Sequence, residues 1–205
     1  MRLVLINPRL PDSFWSFKWA INAILPGKRA VNPPLGLATL AALTPAHWEV
    51  EIVDENIETV PMAPEADIIG IGGMGVQVAR QRDLLAYYRA RGHHVVVGGA
   101  AASLEPERYL ELADTVVAGE AEYIWPRFCL DFEAGRPAAL YQETGTVDLV
   151  DSPPPRFDLL DMKKYSNATM QYSRGCPFSC EFCDISVRFG RKPRTKTPGQ
   201  IQREL

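Results

Sequence analysis

The first 130 residues alternate between two hydrophobic rhythms. "RLVLIN" (2–7) is a short β-branched run stopped by Pro8, and "WEVEIVDEN" (48–56) alternates apolar and polar positions before acidic turn residues. "ADIIGIGGMG" (66–75), "HHVVVGGAAAS" (93–103) and "DTVVAGEAE" (114–122) are further apolar runs that end in glycine or acidic residues. All five predict strands. Between them, "PPLGLATLAALTP" (33–45) opens on prolines suited to a helix start, and "VQVARQRDLLAYYRARG" (76–92) carries apolar residues at helical spacing and closes on Gly92. "PERYLELA" (106–113) and "YIWPRFCLDFEAG" (123–135) predict two more helices. Strands alternating with helices predict an α/β fold, a doubly wound, Rossmann-like parallel sheet of five strands over residues 1–132.

Ligands bind such sheets at the carboxyl ends of the strands. Those ends read "NP" (7–8), "DEN" (54–56), "GGMG" (72–75), "GGAAAS" (98–103) and "GEAE" (119–122). Three of the five carry glycine, which lets a backbone approach a bulky ligand closely. Each glycine taken singly is equally well an ordinary tight turn. "GIGGMG" (70–75) formally matches the dinucleotide fingerprint, but it follows the third strand rather than the first. The acidic residue expected about twenty positions on is replaced by "VVVGGAA".

From 133 to 165 the rhythm stops. "EAGRPAALYQETGTVDLVDSPPPRFDLLDMKKY" holds three consecutive prolines, Pro153 to Pro155, and predicts a stiffened linker. "NATMQYSRG" (167–175) then predicts a new strand, opening a second unit over 166–205.

That strand runs into Cys176, Cys180 and Cys183, three of the four cysteines of the 205-residue chain. A closed zinc site takes four ligands. His47, His93 and His94 all lie in the first unit, Cys129 falls in a segment expected to be a packed helix, and Asp184 is adjacent to Cys183. A four-iron cluster held by three thiolates leaves one iron open for a ligand, as a catalytic centre requires.

The stretch "GCPFSCEFC" (175–183) resembles the C-x3-C-x-aromatic-C signature of the radical S-adenosylmethionine superfamily. The resemblance implies that Cys176, Cys180 and Cys183 ligate a [4Fe-4S] cluster and that Phe182 lies near the adenine of S-adenosylmethionine. "FWSFKWA", "KRAVNPPLGLATLAAL", "EIVDEN", "VVVGGAAAS", "VVAGEAE", "PPPRFDLLD" and "FGRKPRTKTP" resemble the cobalamin-dependent subgroup that includes the hopanoid methylases. It implies that Gly72, Gly73, Met74, Gly98, Gly99, Gly119 and Glu120 border cobalamin. It also implies methylation of an unactivated carbon, an external one-electron donor and a small, apolar or lipid-like substrate. The D-x-H-x-x-G motif that supplies a lower cobalt ligand is absent, with Asn56 in the histidine's place, and His93 and His94 open a strand at its far end.

The resemblance further implies that residues 166–205 are the first strand, cluster loop and helix start of a truncated partial (β/α)6 barrel. A cobalamin-binding module without its own catalysis, or a fragment whose cluster loop needs a longer chain or a partner, is the alternative. Exposed on its own, the cluster loop is expected to be oxygen-labile and the C-terminus mobile.

Composition changes little in this picture. The chain is 46% apolar and 23% charged with a net charge of -3, and no apolar run spans a bilayer. The start, "MRLVLINPRLPDS", lacks a small-residue cleavage site, so a cytoplasmic protein is expected. From Asp184 to Leu205 six basic residues face two acidic ones. With no aromatic platform beside them they predict a solvated face rather than a nucleic-acid surface. Phe14, Trp15, Phe17 and Trp19 predict a buried aromatic helix face or, alternatively, the floor of an apolar substrate pocket.

Overall fold

The computed structural model describes residues 1–205, with every side chain except those of Trp15 and Asn22. The first half runs β1 (Arg2–Asn7), α1 (Lys18–Ile24), α2 (Leu35–Leu43), β2 (Glu49–Asp54), β3 (Ile68–Ile71), α3 (Val78–Arg89), β4 (His94–Val97) and α4 (Ala100–Leu104). It continues with β5 (Thr115–Ala118), α5 (Ala121–Glu133) and β6 (Leu140–Gln142). The remainder holds β7 (Ser173–Arg174), α6 (Ile185–Phe189), β8 (Arg194–Thr195) and α7 (Pro198–Glu204).

Six strands pair in the order β2-β1-β3-β4-β5-β6, all parallel. The period of two along a strand sorts side chains onto two faces. Val4 and Ile6 point to a core with Leu84, Leu85 and Tyr88 of α3 and Ala102 of α4. Leu3 and Leu5 point to the opposite core, with Ala38 and Ala41 of α2 and Trp125 and Phe128 of α5. Burial on both faces is what lets β1 and β3 read as unbroken apolar runs. Gly70 sits inside β3 because a Cβ there would lie 2.7 Å from Leu5 Cδ2, so it is not a phosphate-loop glycine.

The sheet departs from the expected one in three places. A sixth strand, β6, extends it inside the segment read as a linker, pairing Tyr141 with Val117. The rest of that segment packs as well: Val147, Leu149 and Tyr165 are buried, and residues 164–167 run alongside 29–31, with Arg29 N–H donating to Lys164 O at 2.7 Å and Ser166 N–H to Ala30 O at 3.0 Å. The residues after Gly99, read as strand, form α4. The segment before the cysteines is not a parallel barrel strand either; β7 is two residues long and pairs antiparallel with β8. Among the described residues no helix is long and apolar enough to cross a membrane.

Candidate functional site

Because all six strands run the same way, their carboxyl ends share one edge, and the sequence-predicted residues collect there. Gly73 and Gly99 are pressed together: a Cβ on Gly99, whose φ is +92°, would lie 2.5 Å from Gly73 O. Gly119, with φ at +103°, would bring a Cβ within 2.7 Å of Glu143 O. These glycines let the loops after β3, β4, β5 and β6 lie directly against one another. Gly72 packs on Leu37, where a Cβ would meet Cδ2 at 3.0 Å, and Gly98 faces Val117 O. The edge is therefore lined by backbone rather than by projecting side chains, with Met74 and Val76 standing half-exposed at its rim.

At the β1/β2 end of the edge a buried carboxylate organises the loops. Asp54 Oδ1 accepts from Asn7 Nδ2 at 2.9 Å and Asn56 Nδ2 at 2.6 Å, and Oδ2 accepts from the Tyr165 hydroxyl at 2.9 Å. Burial, together with the neighbouring Asp54 carboxylate, drives the Tyr165 hydroxyl far above the ordinary phenol range. Asn56, which occupies the place of a ligand histidine, also accepts from Leu10 N–H at 2.8 Å. Its amide is thus engaged in joining two loops. His94 donates to or accepts from Thr115 Oγ1 at 3.1 Å at the opposite end of its strand, and His93 contacts Ala66 O at 3.1 Å. Neither imidazole reaches the ligand edge.

At the β5 end a second carboxylate pair does similar work. Glu120 and Glu122 flank the start of α5, where the helix dipole favours negative charge. Both are buried, and both are held by arginines from the cysteine segment. Arg174 Nη1 lies 2.7 Å from Glu120 Oε2 and Nη2 lies 2.7 Å from Glu122 Oε1, while Arg194 Nη2 lies 2.6 Å from Glu120 Oε1. Burial alone would push the Glu122 carboxyl up, but Arg174 outweighs it and holds the group below its ordinary value. Glu120, read as a cobalamin neighbour, thus has its carboxylate committed to arginines. The basic tail is likewise not a uniformly solvated face: Arg194 is largely buried, and Lys196 is buried in an ion pair with Glu204.

The cysteine loop between these anchors is open. Cys176 and Cys183 are half-buried and Cys180 is exposed, none in a disulfide. Phe182 is 93% exposed. Among the described residues no three His, Cys, Asp or Glu side chains converge as a metal site. Cys129 is fully buried in α5 and burial pushes its thiol up to about 12, so it is packed as a core residue and offers no fourth ligand. Asp184 pairs with Arg188 at 3.5 Å. Three free cysteines on one accessible loop, without a fourth, do not make up a closed tetrahedral zinc site. α6, which leaves the loop after Cys183, packs against α4, which rises from Gly98 and Gly99. The glycine edge and the cysteine loop therefore share one side of the molecule.

The aromatic segment after β1 is not buried against the sheet. Phe14 and Trp19 stack with centroids 6.4 Å apart and are both exposed; the side chain of Trp15 lies outside the described ones. Phe17, Ala20, Ile21, Ile24, Leu25 and Val31 line an apolar groove of about 260 Å³.

Residues 29–128 match the family model of the B12 binding domain, a span that takes in Gly72 through Glu120. The whole chain is 39% identical to an uncharacterized methyltransferase of Synechocystis and 32% identical to a hopanoid C-2 methylase of Rhodopseudomonas palustris. Over 83% of its length it is 28% identical to a bacteriochlorophyllide d C-8(2)-methyltransferase of Chlorobaculum tepidum. The chain spans 38% to 40% of the length of these relatives.

Proposed function

We propose that this chain is the cobalamin- and cluster-bearing part of a radical S-adenosylmethionine methyltransferase that acts on an unactivated carbon of a small, apolar substrate. The observation that carries the reading is the packing of α6 on α4, which sets the three-cysteine loop beside the glycine edge of a B12 binding domain. Relatives that are methylases and methyltransferases by name support methyl transfer as the reaction.

Cys176, Cys180 and Cys183 would hold a [4Fe-4S] cluster, with Phe182 beside the adenine of S-adenosylmethionine. Gly72, Gly73, Met74, Gly98, Gly99 and Gly119 would border the corrin. When bound, the cluster with S-adenosylmethionine supplies a hydrogen-abstracting radical after one-electron reduction by an external donor, and cobalamin supplies the methyl group. The chain's own contribution is placement. The glycines keep the edge free of side chains, Asn56 is spent on loop contacts and would leave the cofactor without an imidazole from β2, and the open loop would leave S-adenosylmethionine access to a metal held by the thiols. The apolar groove beyond β1 suits an apolar substrate.

The test is anaerobic. The chain is reconstituted with iron, sulfide and cobalamin, reduced with dithionite and supplied with S-adenosylmethionine, and 5′-deoxyadenosine is assayed. Its formation, lost in Cys180→Ala, is the expected result. Cobalamin binding without any 5′-deoxyadenosine would favour the other reading, a cobalamin-binding module or a fragment whose cluster loop needs a longer chain or a partner, which the failure of the three thiols to converge supports. No cobalamin binding would overturn both.

A further inference from the structure

The neck of the cysteine loop carries an arrangement that should not be stable by itself. β7 and β8 are only two residues each, and in their antiparallel register Arg174 stands directly opposite Arg194. Like charges facing each other across a ladder repel, and a two-stranded ribbon this short is marginal in water. Yet both guanidiniums are largely buried, with side-chain exposures of 10% and 15%.

The counter-charge comes from the other unit. Glu120 accepts from both arginines at once: Oε2 from Arg174 Nη1 at 2.7 Å and from Arg194 Nη1 at 3.0 Å, and Oε1 from Arg194 Nη2 at 2.6 Å. Glu122 balances the second charge through Arg174 Nη2. Two arginines and two glutamates leave the cluster neutral. The spacing of these residues matters for the thiols. Arg174 lies two residues before Cys176, and Arg194 closes the chain that returns from Cys183 through α6. Just inside this neck Cys176 N–H donates to Gly190 O at 3.1 Å, and Gly175, with φ at +89°, would bring a Cβ within 2.5 Å of Lys192 O. Arg194 also donates to Val147 O and, at 3.0 Å, to Phe189 O, so the loop is shut at its base by backbone acceptors and by one carboxylate at the carboxyl end of β5 that reaches both of its ends.

We propose that Glu120 is a positioning residue: a single carboxylate that grips both ends of the cysteine loop and seats its three thiols on the cofactor edge of the sheet. The loop's conformation then depends on the B12 binding domain rather than on its own sequence. That the seated thiols serve an iron–sulfur cluster rests on the function proposed above; the grip itself does not, and it is measurable in metal-free protein.

The experiment is hydrogen exchange read by mass spectrometry on the metal-free chain, followed by anaerobic reconstitution of the same variants. In Glu120→Gln, peptides spanning Gly175–Gly190 and the β8 segment are expected to exchange at least about tenfold faster, while β1, β3 and β4 keep their protection. Arg194→Gln added to Glu120→Gln removes the uncompensated charge and should restore part of that protection, a compensation that general loosening of the fold would not give. After reconstitution, Glu120→Gln should hold less iron, and addition of S-adenosylmethionine should change its reduced-cluster EPR signal less than in the parent. Should Glu120→Gln fail to fold, Arg194→Ala, on the ribbon and outside the sheet, must release the same peptides. Unchanged exchange in Glu120→Gln, or in Arg194→Ala where that is the variant read, overturns the proposal. Faster exchange in a chain that never takes up a cluster would leave the grip standing and remove the function proposed for the loop.

Discussion

The two ends of this chain are held together by different forces. Residues of the sheet are fixed by apolar burial on both faces: Leu3, Val4, Leu5 and Ile6 are all fully buried, as are Ile68 and Ile69 next to them. The cysteine segment has almost none of this. Phe178, Phe182 and Val187 are largely exposed, its strands are two residues long, and its attachment runs through Arg174, Arg194 and two glutamates of the other unit. Burial of apolar area is non-directional and cumulative, so the sheet can specify itself. Ion pairs give position, but a buried one contributes little net stability over an apolar equivalent. The cysteine segment is therefore placed by the sheet, and its thiols stay accessible for whatever they bind. The loop is open, while its neck is tied to the glutamates and α7 is tied to the first unit by Gln200 Nε2 donating to Leu149 O at 2.7 Å.

The strongest way to break this comparison is to damage the sheet. Trp125 of α5 is 1% exposed and its indole donates to Thr44 Oγ1 at 2.9 Å. Trp125→Ala should cost about 3–5 kcal/mol in urea unfolding and release the cysteine segment with it, seen as lost exchange protection in both regions. A cysteine segment that stayed protected would mean it has a core of its own. Glu122→Gln is the milder, one-sided counterpart. It leaves Arg174 with Glu120 alone, a loss of about 2 kcal/mol from docking of the segment, and the sheet's urea midpoint should hardly move.

Much of the first region was legible because hydrophobic period and turn chemistry agree there. β1 to β5 are where the apolar runs lie, Gly92 ends the α3 turn with φ at +84°, and α2 starts after Pro33 and Pro34. What escaped is short or non-periodic. β6 is "LYQ", with Tyr141 its one buried residue, so it offers no alternation to read; it forms because β5 has an unpaired edge. α4 looked like strand because "VVVGGAAAS" has no polar break, although Gly99 at φ +92° turns the chain there. The C-x3-C-x2-C spacing of Cys176, Cys180 and Cys183 is visible in the sequence. The loop's anchors are not: Glu120 is 54 residues from Arg174 and 74 from Arg194, and charge complementarity across such separations leaves no local pattern. The one trace was that Arg194 and Lys196 fall in a basic stretch without aromatic partners.

Tyr165→Phe probes the other anchor, at the β2 end. It takes one donor from the buried Asp54 carboxylate, which keeps Asn7 and Asn56, and should cost about 1–2 kcal/mol. Exchange should quicken in the paired segments 29–31 and 164–167 while Gly175–Gly190 is unaffected. Release of the cysteine loop as well would show that the two anchors act as one.

The finest separation of the two regions comes from pH, because their titrating groups respond in different windows. His94 packs between Phe128 and Phe132 beside Thr115, and burial lowers its pKa from 6.5, partly opposed by Asp114. A histidine whose folded pKa is depressed is held neutral, so its contribution is complete above about 6.5 and is lost as pH falls through the folded value. Glu122 also has a depressed folded pKa, measured against 4.5, so the ion pair with Arg174 is complete above that value and lost only below it. Between pH 7.5 and 5.5 the sheet should therefore weaken while the attachment of the cysteine segment holds. Urea midpoints at the two pH values should show the drop in the parent and a smaller one in His94→Gln, with exchange of Gly175–Gly190, corrected for the intrinsic pH dependence of exchange, unchanged in both. An equal loss of protection in the loop at pH 5.5 would mean that the loop opens in step with even a small weakening of the sheet, a release expected only after a loss as large as that of Trp125→Ala.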